Sequence, residues 1–275
     1  MSSIEAARHY YAQLVTGHGG VRDPRVTDAF ATTPRERFVG AGPWTVFNFA
    51  GGYIETPSDD HAWLYQDVLV ALSRGQGINN GMPSLHARCL DALALNEGET
   101  VLHVGTGTGY YTSILAALVG PAGSVVAYEI EPALLAMAKA NLAGQPNVSL
   151  QGVSGTSGSL PPCDAIYVNA GATHPVDTWL DDLRPGGRLL FPLTPDQGLG
   201  GMLLVTRGDG KTWPTRFVCP AGFIPCHGAR DPQMAAVLAD AFRRQSLWTV
   251  QTLHRGTVPD DSCWVAGNGW WLSTR

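Results

Sequence analysis

The segment Val101-Leu-His-Val-Gly-Thr-Gly-Thr-Gly-Tyr-Tyr-Thr112 joins a short apolar run to a longer one through three alternating glycines. Val101, Leu102 and Val104 are typical of a buried strand, and residues 112–119 are typical of an apolar helix. Glycines between a strand and a helix permit a sharp turn and let a ligand approach bare main chain. The segment therefore predicts a strand, a ligand-binding turn and a helix.

Apolar strand and helix patterns alternate downstream of this segment. Strands are predicted over 124–130, 148–153, 164–170 and 188–192, with helices over 132–142 and 177–183. Such alternation indicates an α/β fold of the Rossmann-like type, a mostly parallel seven-stranded sheet with helices on both faces. Residues 201–206 and 216–224 follow each other as strands without a helix, which predicts an antiparallel edge strand.

The two ends of the chain add elements to this core. Helices are predicted over 4–15, 25–31 and 83–95, and the aromatic, glycine-rich residues 40–73 are predicted to cap the sheet. A helix over 232–244 and a hairpin of strands 248–253 and 263–272 follow the core. We therefore predict an N-terminal helical cap with an acceptor loop (1–95), a cofactor-binding core (96–229) and a C-terminal extension of a helix and a hairpin (230–275).

An acidic residue marks the end of the second core strand. Glu129 lies about 20 residues past the glycines, where a carboxylate can accept hydrogen bonds from a ribose diol. The spacing departs from the dinucleotide pattern G-x-G-x-x-G, because Tyr110 stands where its third glycine would be. Together the two features favour S-adenosylmethionine over a nicotinamide cofactor, and an oxidoreductase is the weaker alternative.

Composition limits the other classes of function. The 275 residues carry a net charge of -5 and no basic run, so we expect neither a nucleic-acid partner nor a membrane partner. The N-terminal 16 residues lack the apolar core of a signal peptide, and the five cysteines form no disulfide framework. These features favour a cytoplasmic protein without a metal site, and they do not indicate an oligomeric state.

Several strings together resemble the protein-L-isoaspartate O-methyltransferase family, within the Rossmann-like methyltransferases. They are Asp23-Pro-Arg-Val-Thr-Asp-Ala-Phe30 with Pro34-Arg-Glu-Arg-Phe-Val39, the glycine segment, Tyr128-Glu-Ile-Glu-Pro132, Leu183-Arg-Pro-Gly-Gly-Arg-Leu-Leu190 and Phe223-Ile-Pro225. The match extends to about Arg230. The resemblance implies S-adenosylmethionine as cofactor and a carboxylate of a peptide, protein or small molecule as acceptor.

The chain departs from that family in the acceptor loop. Where the family usually has Gly-Gln-Thr-Ile-Ser-Gln-Pro, this chain has Gly77-Ile-Asn-Asn-Gly-Met-Pro83. Counting back from Pro83 places Gly81 at the serine, whereas a slip of two residues places Asn79 there, so neither register restores the hydroxyl. The family's Gly-Asp-Gly is replaced by Gly152-Val-Ser-Gly155, so adenine would need backbone contacts or Ser154.

The acceptor side offers few candidates for catalysis. A carboxylate is ionised at neutral pH and needs no base, whereas an alcohol or amine acceptor more often does. Proton-accepting candidates are His86, His174, Tyr65 and Asp67. Asn79 and Asn80 offer amide donors and acceptors, although Asn-Gly also predicts a plain turn.

The predicted site follows from these patterns and from the resemblance. The cofactor residues are His103, Gly105, Thr106, Gly107, Thr108, Gly109, Tyr110, Glu129, Ile130, Ser154 and Asn169. The acceptor or catalytic residues are Asn79, Asn80, Gly81 and His174. Besides an O-methyltransferase acting on a peptide or protein carboxylate, two alternatives stay open: a tailoring methyltransferase for a modified peptide or metabolite, and a non-catalytic binding or interaction protein on the same scaffold.

Overall fold

The computed structural model describes residues 3–48 and 52–275. The helices are α1 (Ser3–Gly19), α2 (Pro24–Thr32), α3 (Pro83–Leu93), α4 (Tyr110–Val119), α5 (Pro132–Leu142), α6 (Asp177–Asp181) and α7 (Pro232–Arg244). The strands are β1 (Thr45–Asn48), β2 (Gly52–Glu55), β3 (Leu69–Ser73), β4 (Ile78–Asn79), β5 (Thr100–Val104), β6 (Ser124–Tyr128), β7 (Val148–Gln151), β8 (Cys163–Val168), β9 (Leu183–Leu193), β10 (Gly200–Thr206), β11 (Thr212–Ala221), β12 (Thr252–Arg255), β13 (Cys263–Gly267) and β14 (Trp270–Ser273). Within the described ranges, no helix has both the length and the apolar composition needed to cross a bilayer.

The chain divides into two compact units. The first contains residues 1–98 and 106–152, and the second contains residues 99–105 and 153–275. The predicted division at residues 95 and 229 stays a prediction.

Helices α1, α2 and α3 pack together in the first unit. Helix α2 begins at Pro24, and the carboxylate of Asp23 caps it by accepting the N–H of Arg25 at 2.9 Å. Tyr11 and Phe30 are fully buried, and their ring centroids lie 6.2 Å apart. The predicted N-terminal helices therefore enclose an aromatic core.

A four-stranded sheet that the sequence analysis did not predict also lies in the first unit. Its order is β2-β1-β3-β4, with antiparallel pairing. Trp44, Val46, Leu64 and Val70 form the apolar cluster on which it packs. Each strand has only two to five residues, and none lies between helix patterns of the kind that marked the equally short core strands.

Strands β6 and β7 of the first unit pair in parallel, with Val125 opposite Val148. Helix α5 connects them and begins at Pro132, as predicted. Strand β6 ends at Tyr128, so Glu129 directly follows the strand.

The second unit contains a sheet of order β13-β14-β12-β11-β10-β9-β8-β5. Strands β5, β8 and β9 are parallel, and every later pairing is antiparallel. The antiparallel part is therefore longer than the single predicted edge strand, because the C-terminal extension continues the same sheet.

The predicted pairing within the extension is wrong. Residues 263–272 were expected to form one strand paired with 248–253, but they form a hairpin, and β14 pairs with both β12 and β13. The turn is Asn268-Gly269, with Gly269 at a φ of +75°. Asn-Gly between two strand patterns is itself a hairpin signal, and it outweighs the apolar continuity on which the prediction relied.

Candidate active site

The glycine loop (105–109) adopts the backbone conformation that its composition suggests. The φ angles of Gly105, Gly107 and Gly109 are +81°, +58° and +99°, in the region that favours glycine. A Cβ on Gly109 would also lie 2.7 Å from Cδ1 of Leu142. The loop therefore presents main chain between β5 and α4, and the chain passes from the second unit to the first between Gly105 and Thr106.

The two threonines of the loop use their hydroxyls to hold main chain in place. The Oγ1 of Thr106 donates to the carbonyl of Tyr128 at 3.2 Å, and the Oγ1 of Thr108 donates to the carbonyl of Phe38 at 2.6 Å. The side-chain amide of Asn141 donates to the carbonyl of Thr108 at 2.9 Å. These bonds fix the loop and leave its backbone, rather than the hydroxyls, to contact a ligand.

Glu129 is buried beside the loop. Its Oε2 accepts the N–H of Gly107 at 2.7 Å, and its Oε1 accepts the N–H of Glu131 at 2.9 Å. Burial raises the pKa of the Glu129 carboxyl, while these backbone donors oppose the rise. Each carboxylate oxygen can accept more than one hydrogen bond, so both keep capacity for ligand hydroxyls. Ile130, the next residue, is 43% exposed.

Tyr110 belongs to the aromatic core of the first unit. Its side chain is buried, its hydroxyl lies 3.3 Å from that of Tyr11, and its ring packs edge-on against Phe30 and Phe38. Burial raises the pKa of the Tyr110 hydroxyl well above its ordinary value. Core packing accounts for these contacts, and the predicted contact of Tyr110 with the cofactor stays a prediction.

His103, Gly105 and Asn169 meet in the second unit. Nε2 of the fully buried His103 accepts a hydrogen bond from Nδ2 of Asn169 at 2.8 Å, and burial lowers the His103 pKa to about 3, so the ring is neutral. An added Cβ on Gly105 would lie 3.4 Å from the carbonyl carbon of Asn169. The Oδ1 of Asn169 is buried and has no hydrogen-bond partner in the described part of the chain.

The two other predicted residues of the second unit make local contacts. The Oγ of Ser154 lies 2.8 Å from Oγ1 of Thr156. The Thr156 hydroxyl donates to the carbonyl of His227 at 3.1 Å. Nδ1 of His174 lies 3.1 Å from Oγ1 of Thr173. Burial lowers the His174 pKa, which favours the neutral ring.

The acceptor loop is both a turn and a polar cluster. The Oδ1 of Asn79 accepts the N–H of Gly81 at 2.9 Å, and Gly81 has a φ of +75°. The Oδ1 of Asn80 accepts the N–H of Val70 at 2.8 Å, which ties the loop to β3. The structure therefore places Asn79, Asn80 and Gly81 together in one bonded turn of the first unit.

The side chains beside this loop that were candidates for proton transfer are engaged elsewhere. The Tyr65 hydroxyl donates to Glu36, and Asp67 accepts the N–H of Ser84 at 2.9 Å at the start of α3. His86 is only 2% exposed, and its ring stacks on Tyr111 with the centroids 3.7 Å apart.

The sequence context of Arg35, Pro34-Arg-Glu-Arg-Phe-Val39, does not indicate the role that this residue has in the structure. The guanidinium is fully buried and donates to the carbonyls of Gln66 at 2.9 Å and Val68 at 2.6 Å, and also to that of Leu64. One nitrogen lies 3.5 Å from Oδ1 of Asn80. An arginine next to an acidic residue usually indicates a surface ion pair, so nothing in the sequence indicated this burial.

Comparison with known proteins identifies the family. The family model for protein-L-isoaspartate(D-aspartate) O-methyltransferase matches residues 11–230. A protein-L-isoaspartate O-methyltransferase of Anaeromyxobacter dehalogenans is 35% identical over 76% of this chain and 92% of its own length. Protein-L-isoaspartate O-methyltransferase 1 of Rhodopseudomonas palustris is also 35% identical, over 82% of this chain and 85% of its own.

Solved structures share the fold. A protein-L-isoaspartate O-methyltransferase superposes with a TM-score of 0.68 at 24% identity, covering 86% of this chain and 69% of the other. A Plasmodium falciparum protein described as a putative member and solved with S-adenosyl-L-homocysteine gives a TM-score of 0.64 at 18% identity, covering 80% and 97%. The solved structures confirm the Rossmann-like methyltransferase fold. The family match supports S-adenosylmethionine as methyl donor and does not favour the tailoring or non-catalytic alternatives. The chain belongs to the protein-L-isoaspartate O-methyltransferase family.

Proposed function

We propose that this enzyme methylates the carboxylate of isoaspartyl residues in peptides or proteins. The proposal rests on the hydrogen bonds of the two side chains beside the acceptor loop that could act as bases. Tyr65 is hydrogen-bonded to Glu36, and Asp67 is hydrogen-bonded to the N–H of Ser84. A carboxylate acceptor is ionised at neutral pH and needs neither of them as a base. The names of the relatives support isoaspartate as the acceptor.

The reaction balances without a proton-transfer residue. S-adenosylmethionine supplies an electrophilic methyl group on a positively charged sulfur. A carboxylate oxygen attacks that carbon, the new O–C bond forms as the C–S bond breaks, and the electron pair of the broken bond stays on sulfur. The negative charge of the acceptor and the positive charge of the donor cancel, and no proton has to move. The task that is left to the protein is to align the two groups.

We assign the donor contacts to the two sets of residues described above. Three features of the first unit suit a nucleoside. They are the bare main chain of residues 106–109, the free acceptor capacity of Glu129 and the exposed side chain of Ile130. In the second unit Asn169 lies next to Gly105, and its Oδ1 has no hydrogen-bond partner among the described residues. Ser154 is the proposed contact of the adenine ring.

We also propose that the enzyme is located in the cytoplasm.

Labelled donor tests this function directly. We expect the purified enzyme to transfer labelled methyl to a peptide with one isoaspartyl residue, and the label to be released by mild base as expected of an ester. The matched control is the same peptide with an ordinary aspartyl residue, which should take up little label. Equal labelling of the two peptides, or labelling only of a modified peptide or small carboxylic acid, would contradict isoaspartate as the acceptor.

A further inference from the structure

The four-stranded sheet of the first unit has two different faces. Directly opposed residues of an antiparallel pair share a face, and Val46 lies opposite both Ile54 and Val70. Val46 and Val70 are buried in the apolar cluster of that unit, on which Leu72 also packs. One face of the sheet is therefore turned toward the core, and the other is turned away from it.

The face that is turned away from the core, called the outer face, is formed by Phe47, Tyr53, Leu69, Ala71 and Asn79. Phe47 lies opposite Tyr53 on β2 and Leu69 on β3, and the rings of Phe47 and Tyr53 are in edge contact, with centroids 5.2 Å apart. Tyr53 is 40% exposed, and Phe47 and Leu69 are partly exposed. Contiguous accessible apolar side chains are the kind of surface on which other polypeptides dock.

The outer face reaches the acceptor loop. Asn79 lies opposite Ala71, which is two residues along β3 from Leu69 and so on the same face. The Nδ2 of Asn79 donates to the Tyr53 hydroxyl at 3.4 Å, while its Oδ1 accepts the N–H of Gly81. One side chain is therefore hydrogen-bonded both to the outer face and to the turn of the acceptor loop.

The same end of the sheet adjoins the glycine loop. A Cβ added to Gly107 would lie 3.8 Å from Cδ1 of Leu72 on β3. The Nε2 of Gln76, between β3 and β4, donates to Oε2 of Glu131 at 3.2 Å. A polypeptide that lies on the outer face therefore has one end at Asn79, in a part of the sheet that adjoins the glycine loop.

We propose that the outer face binds the stretch of acceptor polypeptide next to the isoaspartyl residue. The four strands, about 4.8 Å apart, span roughly 14 Å, which is the length of about four extended residues. Alternate side chains of such a segment point the same way, so about two of them contact the face, and apolar ones fit it best. The inference rests on the proposed function and deepens it, because it states what the enzyme selects beside the carboxylate.

A short and a long acceptor peptide test this surface. The short peptide has a single residue on each side of isoaspartate, and the long one has about four, with apolar residues at alternate positions. We expect the wild type to use the long peptide with a kcat/KM about tenfold higher, because the added apolar side chains leave water. In Tyr53→Ser the ratio of the two kcat/KM values should fall about fivefold or more, with the affinity for S-adenosylhomocysteine unchanged in calorimetry.

The matched control is Ile54→Ser. Ile54 is the next residue of β2, is 47% exposed and lies on the opposite face, so this variant should keep the wild-type ratio. Tyr53→Phe should keep most of the preference for the long peptide, because the ring stays. Equal falls in Tyr53→Ser and Ile54→Ser would indicate a general disturbance of the sheet and contradict the inference.

The remaining outcomes separate this surface from the proposed function. A wild-type enzyme that labels neither peptide would overturn the proposed function, whereas labelling of both with no preference for the long one would overturn only the surface. Dimers in sedimentation analysis that dissociate in Tyr53→Ser, with an unchanged peptide ratio, would show that the outer face binds a second copy of the chain. That result would also contradict the proposal.

Discussion

Glu129 has a structural role in the glycine loop, and we propose that the same buried carboxylate binds the methyl donor. It closes the glycine loop by accepting the N–H groups of Gly107 and Glu131, and burial raises its pKa. A buried charge destabilises the folded protein unless hydrogen bonds or an opposite charge satisfy it. A nucleoside diol that donates to both oxygens would supply the missing hydrogen bonds.

Replacing Glu129 by glutamine should weaken donor binding. The amide keeps one acceptor oxygen and loses the charge, so we expect the Kd for S-adenosylhomocysteine to rise about ten- to hundredfold in calorimetry. The control is Glu131→Gln, two residues away, whose carboxylate accepts a hydrogen bond from the Gln76 side chain at 3.2 Å. Similar changes in both variants would contradict a specific role for Glu129.

His103 should make the protein sensitive to acid. The ring is neutral in the folded protein because burial lowers its pKa to about 3, whereas in the unfolded chain it titrates near its ordinary value. Between these values the unfolded state binds the additional proton, so stability falls as the pH decreases. The slope from this group approaches about 1.4 kcal/mol per pH unit.

The measurement is urea unfolding of wild type and His103→Gln between pH 7 and pH 4. We expect the free energy of unfolding to depend less on pH in the variant, because its amide accepts the Asn169 hydrogen bond without titrating in this range. His9→Gln, at an exposed position, should follow the wild type. An equally steep decline in His103→Gln would show that other groups dominate.

At the scale of elements, the acceptor loop is held in place by a residue on another segment. Arg35 connects the chain before β3 to the loop after β4, because one guanidinium binds three carbonyls of residues 64–68 and contacts Asn80. Asn80 in turn exchanges hydrogen bonds with Val70 through its side chain and its main-chain N–H. The loop geometry is therefore a property of this network and not of the turn alone.

Arg35→Lys should loosen this network. An ammonium cannot reproduce the planar fork of donors, and unbonded buried carbonyls each cost about 1–3 kcal/mol. We expect a loss of about 3 kcal/mol or more in the free energy of unfolding, with faster hydrogen exchange at the amides of residues 64–70 and 79–81. Arg37→Lys, at an exposed neighbour, is the matched control. Unchanged exchange in these segments would contradict the network.

At the scale of the whole molecule, the extension beyond the family match is part of the core of the second unit. The family model ends at residue 230, yet strand β12 of the extension pairs with β11. The ring of Phe217 packs against the rings of Phe242 and Trp264, with a centroid distance of 5.7 Å in each pair. Trp264 is 2% exposed and donates from its indole to the carbonyl of Ser246 at 3.2 Å.

Trp264→Ala should therefore destabilise the protein strongly. Truncating a buried tryptophan costs about 3–5 kcal/mol, which denaturant unfolding monitored by circular dichroism would report. Trp248→Ala in the same extension removes a side chain that is 59% exposed and should change the free energy of unfolding by less than about 0.5 kcal/mol. A small effect at Trp264 would mean that the extension is dispensable for stability.

The amino-acid sequence alone was enough to predict the α/β class, the glycine turn between β5 and α4, and the methyl donor. Local patterns carry these features: glycines that need positive φ, a strand ending just before Glu129, and proline at the start of α5. The short strands β1 to β4 do not alternate with helices as the core strands do, so the four-stranded sheet was missed. The hairpin turn at Asn268-Gly269 was overlooked because the apolar run continues through it.

The arrangement on the acceptor side was decided only by tertiary structure. Asn79, Asn80 and Gly81 were predicted as a group because they are consecutive, whereas Arg35, His86 and Tyr111 come from three other segments. Sequence spacing cannot report contacts between distant segments, because they depend on how helices and strands pack. The sequence therefore determined what the chain binds as methyl donor, and packing determined which side chains surround the acceptor loop.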